Sequence, residues 1–92
     1  MQGKIPEKAL ERVMKALANR RRLAILNYLK HEKEASVGQI AEKIKLSFKA
    51  TSKHLSLLTA VDIVEKEQRS LQMYYKLSEI LPGGAKEILS LL

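Results

Sequence analysis

Apolar residues recur every three or four positions over the first third of the chain, the spacing of a buried helical face. Pro6 stands where a first helical position is expected, and apolar residues follow it at helical intervals over residues 6–18. Asn19, a good helix-capping residue, then precedes a second run with the same spacing. The two faces comprise Leu10, Val13, Met14 and Leu17 in the first run, and Leu23, Ile25, Leu26 and Leu29 in the second. The pattern predicts two consecutive helices.

Two further short helices are predicted between residues 36 and 60. Ser36 and Gln39 form the S-x-x-Q pattern of a capping box, and Ser47 is suited to cap the next helix after a tight turn at Lys45 and Leu46. The apolar faces comprise Val37, Ile40, Ala41 and Ile44, and then Phe48, Thr51, Leu55 and Leu58. Two short helices joined by a tight turn are typical of a helix-turn-helix.

The next part of the chain changes to the alternating pattern of β-strands. Residues 63–67 and 72–77 are predicted as two strands, and residues 68–71 as a hairpin tip without the usual Asn-Gly signal. In the second strand Tyr75 is expected to face the core and Tyr74 to face outward. Residues 82–84 break the chain before a short terminal helix over 84–92. The predicted fold is a single mainly α winged helix-turn-helix domain over 1–92, with about five helices and a two-stranded antiparallel wing over 63–77.

Composition adds a strong positive charge to this picture. Seventeen Lys and Arg against 10 Asp and Glu give the 92 residues a net charge of +7 and a pI near 9.8. Such an excess points to a polyanionic partner, most often nucleic acid, although plain solubility is an alternative. No cysteine is present, which excludes thiolate metal sites and disulfides. No membrane-spanning run or signal segment over residues 1–5 is visible, so a cytoplasmic location is expected.

The fourth predicted helix presents a basic, hydroxyl-rich face opposite its apolar one. Lys49, Lys53 and Ser56 lie on this side with no carboxylate among them. In a DNA major groove, such amines can reach phosphates or guanine edges, and hydroxyls can donate or accept. The alternative is an ordinary solvated surface. The excess of lysine is concentrated on the motif, which favours DNA.

The order of the elements and several motifs resemble the ArsR family of bacterial and archaeal repressors. The segments that carry the resemblance, from about residue 17 to 77, are LANRRRLAIL, SVGQIAEKIKLS, TSKHLSLL and the wing DIVEKEQRSLQMYYKL. The resemblance implies a homodimeric regulator, a repressor of a palindromic double-stranded DNA operator, with the recognition helix 47–60 in the major groove. It also implies that the wing, 67–72, lies on the flanking backbone or minor groove.

Specific residues follow from the helical face and this resemblance together. The expected DNA-binding residues are Lys45, Ser47, Phe48, Lys49, Ala50, Ser52, Lys53, His54 and Ser56 on the motif, with Gln68, Arg69 and Tyr74 on the wing. The expected dimer interface joins the first and last helices through Leu10, Val13, Met14, Leu17, Ile88, Leu89, Leu91 and Leu92. Apolar side chains at such positions would remain exposed to solvent in a monomer, and dimerisation would bury them.

The chain also departs from the family pattern. Val61 and Asp62 replace the usual Ala-Gly before the wing, and the wing contains no glycine. The ligands of the family's metal sensors are absent, so no metal or cofactor is expected. His31 is expected to be structural, while His54 could pack, form an internal hydrogen bond or contact a phosphate. With no convergent catalytic groups, an enzyme is not expected.

Some alternatives stay open at this point. The domain could instead be a winged-helix module that binds another protein, with an incidental basic surface. Arg20, Arg21 and Arg22 could contact phosphate, or Arg22 could pair with an internal carboxylate while the others are solvated. No feature of the sequence identifies an inducer, an operator or target genes.

Overall fold

The computed structural model describes residues 4–92 and contains five helices and three strands in that range. The expectation for the segment 1–5 therefore lies mostly outside the described residues. In chain order the elements are α1 (Glu7–Leu17), α2 (Arg20–Glu32), β1 (Ala35–Ser36), α3 (Val37–Ile44), α4 (Phe48–Ala60), β2 (Val64–Arg69), β3 (Gln72–Leu77) and α5 (Ala85–Leu89). None of the described helices is long and apolar enough to cross a membrane. The architecture is the predicted winged helix-turn-helix.

Side-chain caps define where the central helices begin, as the sequence predicted. The Asn19 side chain accepts a hydrogen bond from the Arg22 backbone N–H, and Ser47 accepts from that of Ala50 at 3.0 Å. Ser36 and Gln39 form the reciprocal bonds of a capping box. These caps satisfy backbone donors that the first turn of a helix leaves free. Local hydrogen bonds therefore fix where the helices of the motif begin.

The sheet has one strand more than the sequence predicted. Its order is β1-β3-β2, and β1 pairs with β3 through Ala35 opposite Tyr75 and Ser36 opposite Tyr74. A strand of two residues is too short to show an alternating pattern in sequence. The predicted two-stranded wing is confirmed as the β2–β3 hairpin, and β1 adds a third strand that joins this wing to the body of the domain.

The wing hairpin is also longer and tighter than predicted. Pairing in β2–β3 continues to Arg69 opposite Gln72, so Ser70 and Leu71 alone form the tip, with φ of 56° at Ser70. The predicted four-residue tip was wrong because the polar residues at 68 and 69 continue the ladder. The turn before the wing is made at Asp62, which has a left-handed φ of 62°.

The core lies between the helices and the sheet. Tyr75 is buried there as predicted, and Tyr74 on the opposite side of β3 is half-buried. The fully buried apolar side chains are Ile25, Leu26, Leu29, Ile40, Leu55, Leu58, Ile63 and Val64. Phe48, however, is 63% exposed. Its assignment to the buried face of α4 was wrong because the first turn of the helix projects beyond the core.

The terminal helix is shorter than the predicted span of 84–92. It ends at Leu89, and the N–H groups of Leu91 and Leu92 bond to carbonyls three residues back. Lys30 Nζ donates to the Leu89 carbonyl at 3.0 Å, which caps the end of α5 from α2. The last carbonyl of α5 is therefore satisfied both by the Leu92 N–H and by a side chain of α2.

Candidate nucleic-acid interface

The outward face of α4 carries the predicted basic surface. Lys49, Ser52, Lys53 and Ser56 have the spacing i, i+3, i+4 and i+7, which places them on one side of a helix. Both lysines and Ser56 are exposed, and Ser52 is half-buried. The helix contains no acidic residue. This face offers amines and hydroxyls without a competing internal carboxylate on its own helix.

The turn before α4 contributes further polar groups. Lys45 is exposed and adopts a left-handed conformation with φ of 58°, which redirects the chain between α3 and α4. Ser47 is exposed, but its hydroxyl oxygen already accepts the capping bond. Ala50 is half-buried on the flank of the helix. Lys45 and Ser47 therefore add exposed polar groups directly before the basic face of α4.

Arg22 binds two backbone carbonyls and a histidine inside the domain, partners that the sequence did not indicate. Its Nε donates to the Ala16 carbonyl at 2.5 Å and its Nη2 to the Lys15 carbonyl at 3.1 Å, at the end of α1. Its Nη1 lies 3.2 Å from His54 Nδ1 in the middle of α4. The internal carboxylate, one of the two alternatives, is not a partner of Arg22 within residues 4–92, and no sequence signal links Arg22 to His54. Arg22 therefore links the end of α1 to α4 through hydrogen bonds.

His54 is held in one tautomer by this contact. A guanidinium has only donors, so Nδ1 must accept and the ring proton must sit on Nε2. Burial, reinforced by the charges of Arg22 and Arg21, lowers the pKa of His54 below its ordinary 6.5. The imidazole is therefore a neutral internal acceptor, one of the roles that the sequence left open.

The wing arginine is engaged by carboxylates. Arg69 donates to both oxygens of Glu34 at 2.7 Å and to Glu67 at 3.0 Å, and its guanidinium lies 4.8 Å from the centre of the Tyr74 ring. The hydrogen bond from Arg69 holds the pKa of the Glu34 carboxyl below its usual range. Sequence reasoning missed Glu34, which lies 35 positions away in the chain. The contact ties the wing to the loop before β1.

The other predicted wing residues have weaker internal contacts. The Tyr74 hydroxyl donates to the Gln72 side chain at 2.8 Å, and Gln68 Nε2 lies 3.4 Å from the Ser70 carbonyl oxygen. Gln68 is exposed. The predicted wing residues therefore present polar side chains, and the cation among them, Arg69, is already paired with acids.

The predicted dimer residues divide into two groups by burial. Val13, Leu17 and Leu89 are 6%, 5% and 4% exposed and belong to the core of the protomer. The more accessible ones are Met14, Ile88 and Leu91, at 58%, 38% and 79% exposure, whereas Leu10 and Leu92 are half-buried. Only the accessible members leave substantial apolar surface on α1 and around α5.

Residues 4–92 hold no group of three or more His, Cys, Asp or Glu side chains placed to bind a metal ion. His31 is exposed at the end of α2, where its Nδ1 lies 2.8 Å from the Asn27 carbonyl oxygen of the same helix.

These features define a winged helix-turn-helix domain of the type found in DNA-binding regulators. Residues 19–66 match the family described as bacterial regulatory protein, arsR family. The chain belongs to this family, whose members are transcriptional regulators and not enzymes.

Named relatives agree with this assignment. The chain is 42% identical over 65 residues to the nodulation protein NolR of Rhizobium meliloti, an alignment that covers 71% of this chain and 52% of NolR. It is 38% identical over 66 residues to the transcriptional activator HlyU of Vibrio cholerae, covering 72% of this chain and 60% of HlyU. The aligned part thus spans about half to three fifths of these relatives.

Solved structures show the same fold. Reduced HlyU from Vibrio cholerae superimposes with a TM-score of 0.79 at 32% identity, covering 94% of this chain and 86% of that one. A homodimeric winged helix-turn-helix DNA-binding domain from Mycobacterium bovis, described as a possible ArsR-family regulator, gives 0.78 at 28% identity, with 99% and 85% covered.

Proposed function

We propose that this protein binds double-stranded DNA specifically, as a homodimeric repressor of a palindromic operator in the cytoplasm. The observation that carries this function is the surface of α4, where Lys49, Ser52, Lys53 and Ser56 share one exposed side and no acid interrupts them. A recognition helix needs such a side, since amines and hydroxyls are the groups that contact base edges and phosphates.

In the proposed complex, α4 lies in the major groove and the tip of the wing lies over the adjacent backbone or minor groove. The lysines of the motif supply the attraction for phosphate, because Arg69 is held by Glu34 and Glu67. Arg69 would contact DNA only by exchanging a carboxylate for a phosphate. We therefore assign the wing mainly a positioning role and α4 the sequence readout.

The proposed dimer joins two protomers through α1 and the region of α5. Met14, Ile88 and Leu91 leave apolar surface there that a second copy would cover. The domain from Mycobacterium bovis, which matches nearly the whole chain and is described as homodimeric, supports a homodimer. A two-fold dimer would set two recognition helices about one DNA turn apart, roughly 34 Å, and would favour a palindromic site.

Repression would follow from occupation of an operator that overlaps a promoter. The resemblance to ArsR repressors supports this sign of regulation, whereas the relative HlyU is named an activator. In vitro transcription from a promoter carrying the selected operator would show whether the protein represses or activates. A lower transcript yield on adding protein supports repression, and a higher yield contradicts repression while leaving DNA binding intact.

Fluorescence anisotropy with a labelled random duplex at low salt is the primary test of DNA binding. We expect binding that weakens as salt rises, because lysines release counterions from phosphates. Selection from a random duplex pool should then return a palindromic site that binds about a thousandfold or more tighter than random duplex. An absence of duplex binding at low salt would contradict the proposal and favour a protein-binding module.

A further inference from the structure

Phe48 is an aromatic residue exposed on a surface that is otherwise basic. It occupies the first position of α4, directly after the Ser47 cap, and its side chain is 63% exposed. No acidic residue occurs between Lys43 and Lys53 on either side of it. The ring is not part of the core, so most of its apolar surface is available to a partner outside the chain.

The ring forms one wall of an apolar groove of about 310 Å³ between the helix-turn-helix and the wing. Val37 and Gly38, at the start of α3, lie on one side, and Met73 and the wing-tip Leu71 lie on another. Leu71 is 97% exposed. The groove opens where α4 and the wing would both approach DNA.

The helix position of Phe48 restricts what it can contact. It lies on the wing-side flank of the face formed by Lys49 and Ser52, and residues in the first turn of a recognition helix are those nearest to base edges. The apolar group that the major groove presents is the C5-methyl of thymine. The neighbouring lysines can contact the phosphates on either side of such a base.

Resting on the proposed DNA binding, we propose that Phe48 determines specificity by packing its ring against the C5-methyl group of one thymine in each half-site. The ring and the methyl group exclude water from each other in the complex, so the energy depends on the methyl and not on hydrogen bonding. The half-site should therefore contain a required thymine at the position facing the start of α4.

Substitution of deoxyuridine for thymidine tests this contact, since it removes only the methyl group. Each thymine of the selected operator is replaced in turn, symmetrically in both half-sites, and affinity is measured by anisotropy for the wild type and Phe48→Ala. We expect one thymine position at which the replacement lowers the affinity of the wild type about fourfold per half-site. This is the factor expected for burying one methyl group. Phe48→Ala should bind the thymine and uracil operators equally.

Leu57→Ala provides the matched control. Leu57 is 48% exposed and lies about two and a half turns further along α4 on the opposite flank, so its variant should keep the uracil effect. Circular dichroism checks that both variants fold. A wild type that binds its operator but shows no uracil effect overturns the inference, as does an effect that persists in Phe48→Ala. A wild type that binds no duplex contradicts the proposed function instead.

Discussion

Arg22 Nη1 and His54 Nδ1 lie 3.2 Å apart although the residues are separated by 32 positions in the chain. The same guanidinium binds two carbonyls at the end of α1. One side chain therefore fixes the recognition helix against the first two helices. This bond requires an unprotonated Nδ1, which makes the contact sensitive to pH.

We expect part of the protein's stability to be lost in mild acid through His54. Its pKa in the folded protein is lowered from 6.5, so between the two values the unfolded chain binds more protons. The stability that the neutral His54 imidazole contributes is fully present above about pH 6.5. It is lost as the pH falls through the lowered pKa of the folded protein. Urea unfolding at a pH of about 7.5 and about 5 measures it.

His54→Asn separates this effect from other acid-sensitive groups. The amide oxygen of Asn can accept from Arg22 at the position of Nδ1 and does not titrate, so the variant should lose less stability than the wild type on acidification. His31→Gln, at an exposed position, should behave as the wild type does. An unchanged pH dependence in His54→Asn would contradict the role assigned to His54.

Thr51→Val should stabilise the protein. Thr51 is fully buried, and its hydroxyl has no hydrogen-bond partner within residues 4–92. Valine keeps the shape and removes the unsatisfied group, so we expect a gain of about 1 kcal/mol in the free energy of unfolding, measured by urea denaturation. Thr59 is the control, because its hydroxyl donates to the Leu55 carbonyl at 2.8 Å. Thr59→Val should lose about 0.5–1.5 kcal/mol, and a loss in both variants would refute the prediction.

Lys53→Ala should weaken operator binding. If the amine reads a base, we expect a loss of roughly 1–3 kcal/mol and relaxed preference at one operator position. If it contacts phosphate, affinity should fall uniformly and the salt slope should drop by about one unit. Lys8→Ala, exposed on α1 away from its apolar stripe, should leave both quantities unchanged. Equal operator affinity of Lys53→Ala and wild type would exclude both roles.

Met14→Glu should convert a dimer into a monomer. The Met14 side chain is 58% exposed on α1, and a carboxylate there would remain charged in the proposed apolar interface. Analytical ultracentrifugation at micromolar concentration should show a dimer for the wild type and a monomer for the variant. Ile80→Glu, at a position 88% exposed outside α1 and α5, should stay dimeric. A monomeric wild type that binds a half-site tightly would rule out the proposed dimer.

Much of this fold could be predicted from the sequence because its signals are local. The caps at Asn19, Ser36 and Ser47 satisfy backbone groups a few residues away, and the apolar periodicity of α3 and α4 identifies their buried sides. The basic face of α4 follows from the same spacing. The sequence by itself therefore determined the helix-turn-helix, the existence of a wing and the helix proposed for readout.

The tertiary structure decided the features that depend on which distant segments meet. Periodicity shows that Phe48 and Leu89 are apolar on one side of a helix, but packing alone leaves the first exposed and buries the second. Arg22 and Arg69 are both basic in sequence, yet one binds carbonyls and a histidine while the other binds two carboxylates. His54 lies 32 positions from Arg22 and Glu34 lies 35 positions from Arg69, and only the folded geometry brings their atoms within hydrogen-bonding distance.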